Sequence, residues 1–85
     1  MLTLNDVKEF MRIDHDAEDG FLSVLLVLAK EMCENYLRHD LPEEQIESIR
    51  LAQLMIIGHF YENRTGASIP QAVYRLLDAY RDEVF

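Results

Sequence analysis

The sequence predicts an all-α fold, a small bundle of four helices of which two are long and two short. Three observations predict it. Apolar residues recur at spacings of three and four, and no stretch sustains the period-two alternation of a half-buried strand. Breakers are scarce, three Gly and two Pro, and Pro42, Gly66 and Pro70 fall between the apolar segments. Capping residues stand where helices should begin.

The first helix is expected from about Leu4 to Met11, with Thr3 as N-cap and Asp6 three residues on, close to a capping box. Arg12 to His15 then form a short connector. The second helix is expected to begin after Asp16, a good N-cap, with Glu18 and Asp19 facing the positive end of the helix dipole, and to reach about Leu37. Gly20 falls inside it at some local cost. Arg38 to Leu41 read as a turn. Pro42 suits the first position of a third helix running to about Asn63, with Glu43 and Glu44 in its first turn and Gly66 as a stop beyond it. The fourth helix is expected from Pro70 to near Asp82, where Val73, Leu76, Leu77, Tyr80 and Val84 make a single apolar stripe.

Eighty-five residues leave room for a single domain spanning 1–85, with 49% apolar and 28% charged residues, a globular mix. Sixteen acids against eight bases, a net charge of −8, argue against a protein that neutralises DNA. Cys33, the lone cysteine, precludes an internal disulfide and reads as a buried small hydrophobe; a reducing, cytosolic setting is compatible. The start of the chain lacks a basic and then apolar leader, so no signal peptide is expected. The longest nearly apolar run, Phe21 to Ala29, is far shorter than the roughly 20 residues that span a bilayer.

The second and third helices are apolar around most of their circumference, through Phe21 to Ala29 and through Leu51 to Tyr61. Such helices are buried all round, yet only two short helices are present to cover them. Burial by further copies of the chain is the expectation, with Leu26 and Ile56 as positions that discriminate interface from core. A compact monomer is the plainer alternative.

Candidate chemistry is sparse. Asp14, Asp16 and Glu18 fit the first half of a calcium loop, but Asp19 stands where its glycine belongs and Leu25 where its bidentate Glu belongs. The cluster is better explained as a capped helix start. His15, His39 and His59 are scattered without metal-ligand spacing, and no nucleophile or paired acid accompanies them. No catalytic residue, metal or cofactor is expected. Gly58, in mid-helix, suggests a close backbone approach or a tolerated cost. Tyr61-Glu62-Asn63-Arg64 reads either as a dipole-complemented helix end or as an interface anchor.

Three motifs stand in order: Leu4-xxx-Lys8-xx-Met11-Arg12-Ile13-Asp14, then His59-Phe60-Tyr61-Glu62-Asn63-Arg64, then Ile69-Pro70-xx-Val73-xx-Leu76-Leu77-xx-Tyr80-Arg81. Together they resemble the small head–tail connector (DNA-packaging, head-completion) family of long-tailed phages and prophages, over nearly the whole chain. Phe10-Met11 departs from a more usual His-Leu-like pair, and Phe60 stands where Trp is common. With the chain ending at Phe85, a contact through a longer C-terminal arm is not expected.

The resemblance implies a structural subunit, not an enzyme, of the virion head–tail junction, assembled in the bacterial cytoplasm. Its implied partners are itself, in a homo-oligomeric ring, the portal protein above, and a further head-completion or tail protein. DNA would pass through the ring without specific binding, and no membrane is involved. Arg12, Ile13, Asp14, Tyr61, Glu62, Asn63, Arg64, Ile69, Pro70, Leu77, Tyr80 and Arg81 carry the implied assembly role, whether within the subunit or between subunits. An acidic channel wall would let the phosphate backbone slide. Taken without the resemblance, the residues also suit a dimeric cytosolic regulatory or protein-interaction module.

Overall fold

A computed structural model describes residues 2–63 and 68–81. Four helices follow one another: α1 (Leu4–Met11), α2 (Asp19–Leu37), α3 (Glu47–Glu62) and α4 (Gln71–Asp78). The described residues contain no strand.

α1 opens on a complete capping box. The Asp6 N–H donates to the Thr3 hydroxyl at 3.2 Å, and the Thr3 N–H donates to Asp6 Oδ2 at 3.0 Å. It closes on Arg12 in the left-handed region (φ 57), where glycine is usual. The Arg12 N–H reaches the Glu9 carbonyl at 3.2 Å and the Ile13 N–H the Lys8 carbonyl at 2.9 Å, the bond pair of a Schellman end. Ile13, half-buried, packs against the core.

α2 begins at Asp19, not directly after Asp16, and its cap residue Glu18 makes no side-chain capping bond. The Asp16 carboxylate is drawn away by Lys8 Nζ at 2.7 Å, so it does not serve the α2 amides. The far end falls at Leu37 as expected, closed by Arg38 at φ 66.

α3 begins at Glu47, well past the expected Pro42. The intervening strap carries Leu41 and Ile46 inward against the core. Glu34 holds it by accepting the Leu41 N–H at 2.9 Å, and Gln45 Nε2 donates to Glu47 Oε1 at 2.6 Å. Asn63 closes α3 on the His59 carbonyl, through its N–H at 2.9 Å and its Nδ2 at 3.0 Å. The expected stop at Gly66 lies outside the described residues. α4 stops at Asp78 and not near Asp82, because Tyr80 and Arg81 tighten onto the Leu77 and Asp78 carbonyls at 3.0 and 3.4 Å. Val84 also lies outside the described residues.

One core draws on all four helices. α2 supplies Leu22, Leu25, Ala29, Cys33 and Leu37, one stripe at helical spacing. Ile49, Ala52, Leu54, Ile56 and Ile57 of α3, Val73 and Leu77 of α4, and Val7 of α1 complete it. α2 packs chiefly on α3, and α3 in turn on α4. The chain is 17 Å deep along its thinnest axis, two helix layers. With so thin a body, α2 and α3 are not covered on every side. Val24 is 62% exposed, Val27 58% and Leu51 41%, and Phe10 on α1 is 49% exposed. Among the described residues no helix is long and apolar enough to cross a membrane.

Candidate assembly surfaces

The acid cluster before α2 is organised by a lysine. Lys8 reaches from α1 to place Nζ 2.7 Å from Asp16 Oδ1 and 2.9 Å from Asp19 Oδ1. These hydrogen bonds hold the Lys8 ammonium above its ordinary pKa, with Asp16 the larger influence, and Lys8 holds Asp16 below its own. His15 Nδ1 accepts the Ala17 N–H at 3.3 Å, which turns the connector. Nearby, Arg50 of α3 lies 3.6 Å from Asp6. Of the residues expected to act in assembly, Arg12 and Asp14 are exposed at this connector. Among the described residues no cluster of three or more His, Cys, Asp or Glu is arranged to hold a metal ion.

The end of α3 meets the start of α2. The Tyr61 hydroxyl donates to Glu18 Oε1 at 2.6 Å, and the Tyr61 and Phe21 rings lie 6.3 Å apart. Tyr61 is therefore half-buried inside the subunit, and Asn63 serves its own helix end, while Glu62 is exposed. His59 meets Phe60 edge-on at 5.5 Å. Arg64 lies outside the described residues.

A third cluster ties the ends of α2 and α4 together. The Tyr36 hydroxyl donates to the Asp78 carboxylate, Tyr36 stacks at a tilt on Tyr74 at 4.9 Å, and the Arg81 guanidinium sits 4.6 Å over the Tyr36 ring. The bond to Asp78 holds the Tyr36 phenol above its ordinary pKa. His39 Nε2 lies 2.7 Å from the Tyr80 carbonyl. Tyr80 and Arg81 are legible as assembly residues and His39 as a lone histidine, whereas Tyr36, Tyr74 and Asp78 carry no motif of their own. A tyrosine late in α2 and an arginine just past α4 were the available signals; their meeting depends on how the two helices cross.

The two apolar candidates separate. Ile56 is only 2% exposed, inside the subunit's own core between α3 and its neighbours, so it has no surface to offer another chain. Leu26 is half-buried and lines a groove beside the strap between α2 and α3. Gly58 does not mark a close approach within the subunit: a Cβ built there meets no atom within 4 Å. It lies on one line of α3 with Leu51, which is exposed, and Met55, which is half-buried against the core. Cys33 is fully buried, and burial, with Glu34 adding, pushes its thiol up to about 12.

These surfaces carry polar clasps and uncovered apolar side chains. Residues 1–83 match the family described as phage gp6-like head-tail connector protein. No curated protein and no solved structure matches the chain.

Proposed function

This chain belongs to the phage gp6-like head-tail connector family, and from that premise we propose that it is a ring subunit at the virion head–tail junction. A phage structural role follows from the family. The ring, its place beneath the portal, its contact with a further head-completion or tail protein, and the passage of DNA through it are the proposal's own content.

The observation that carries it is the apolar surface left over by the fold: Phe10, Val24, Val27 and Leu51 are each more than two-fifths exposed, and they sit on three different helices. A closed ring needs two different faces that fit each other, not one self-matching patch. We assign one face to Phe10 and the other to the α3 stripe of Leu51, Met55 and Gly58. The space above Gly58 suits a bulky ring side chain from a neighbour. The net charge of −8 favours passage of DNA over its capture.

Cysteines at positions 10 and 55 test the arrangement, since the native Cys33 is buried and unreactive. Oxidation of the Phe10→Cys, Met55→Cys protein at high concentration should give a ladder of covalent multimers that closes on itself. A product that stops at the dimer, matched by a dimer limit of the native chain in sedimentation, would favour the dimeric module and defeat the ring.

A further inference from the structure

A groove of about 730 Å³ runs between α2, the strap at residues 41–46 and the first turns of α3. Its floor is apolar, formed by Leu26, Val27, Leu41, Ile46 and Ile49. It continues onto the outer face of α2, where Val24 and Val27 are 62% and 58% exposed. One buried polar group interrupts the floor. Gln53 is 7% exposed and lines the groove. None of its polar atoms is both sealed from solvent and unpartnered. The rim is acidic: Glu31, Glu34, Glu43 and Glu44 face two cations, Lys30 and Arg50. Arg50 lies 3.6 Å from Asp6, which draws part of its charge away.

We propose that this groove is the docking site for an amphipathic helix with basic flanks, supplied by a partner protein. The proposal rests on the adaptor reading above and deepens it by naming the chemistry of the partner. Three features select the occupant. The floor is apolar side chain, against which an extended peptide would leave its own backbone amides unsatisfied. A helix satisfies its backbone itself and offers an apolar stripe to Leu26, Val27 and Ile46. Lysine or arginine beside that stripe complements the four rim carboxylates. A second copy of this chain is the poorer occupant, since it carries a net charge of −8 against the same acidic rim.

The test uses the full chain and three synthetic helical peptides of one Leu-rich apolar face: one with Lys/Arg flanks, one with Glu flanks, and a basic one interrupted by proline. Binding is followed by amide chemical shifts and calorimetry. The expected result is that the basic helix binds with shifts at Leu26, Ile46 and Gln53, and binds less tightly as salt rises. The acidic and proline-broken peptides should bind far more weakly. Replacing the rim through Glu31→Gln, Glu43→Gln and Glu44→Gln, which leaves the floor intact, should weaken the basic helix by roughly tenfold, the sum expected of three exposed pairs. Equal binding of the basic and acidic helices, tight binding of the broken peptide, or shifts lying elsewhere would each overturn the proposal. So would the same groove shifts appearing on simple concentration of the chain, since the occupant would then be a second copy. The position 10 and 55 crosslinking stands apart from this readout: a ring that forms while the basic helix fails to bind removes the groove proposal and leaves the adaptor reading in place.

Discussion

The Tyr61 hydroxyl donates to Glu18 Oε1 at 2.6 Å, fastening the last turn of α3 to the residue that precedes α2. A residue that reads as an assembly anchor in the sequence thus has a role inside its own subunit. Tyr61→Phe keeps the ring beside Phe21 and removes only the hydroxyl. The expected loss is about 1 kcal/mol in denaturant unfolding. An unchanged midpoint would mean that water replaces the bond at no loss.

Acid should weaken the α1–α2 junction in a defined window. Asp6 is held below its ordinary 3.8, first by the Thr3 N–H, and Asp16 below 3.8, first by Lys8. A carboxylate whose folded pKa is depressed contributes stability above its unfolded value and loses it as pH falls through the folded one. Asp16→Asn should therefore be less stable than the native chain at pH 7. The difference should vanish as pH falls below 3.8 through the depressed value. A gap that persists unchanged in strong acid would place the effect elsewhere. Lys8, raised above 10.5, adds an alkaline counterpart lost only as pH climbs past that value.

Cys33 should be chemically silent in the folded state. Burial pushes its thiol from 9.0 up to about 12, so almost no thiolate exists at pH 8. Iodoacetamide should label it only under denaturing conditions. Between pH 9 and about 12 the unfolded thiol ionises while the folded one does not, so stability should decline across that range. Rapid labelling of the native protein would contradict the burial.

Core and surface apolar positions should respond very differently to truncation. Leu77→Ala empties a fully buried site and should cost about 2–5 kcal/mol. Val24→Ser changes a side chain that is 62% exposed and should move stability by less than about 0.5 kcal/mol. Thermal melts of the two variants at equal concentration check both.

Gly58→Ala separates two roles. Nothing lies within 4 Å of the added Cβ, so the isolated subunit should gain up to about 1 kcal/mol of helix stability. If the space receives a neighbour's side chain, the same variant should form fewer crosslinked multimers in the position 10 and 55 background. A gain in stability with multimer formation intact would show that the space is not used in assembly.

Much of the fold was legible in the residues. Thr3 and Asp6 specify a capping box by type and spacing alone, and the Val73, Leu76, Leu77 stripe places α4. Cys33 reads as a buried hydrophobe from its neighbours, and it is one. Local signals sufficed where the partner of each group lies within a turn or two.

Residue type and spacing alone establish the helical class, the order of the four helices and the leftover apolar surface. The tertiary structure decided the rest, wherever a side chain chooses between a local partner and a distant one. Asp16 leaves the α2 amides for Lys8, so α2 begins at Asp19. Leu41 and Ile46 turn toward the core, so the segment after Pro42 becomes a strap and opens the groove at Leu26. Ile56 and Val24 are alike as letters, yet one is sealed and the other bare, because burial depends on which face of each helix meets its neighbours. That geometry is set by packing between distant residues, and hydrophobic periodicity on a helix apolar almost all round does not encode it.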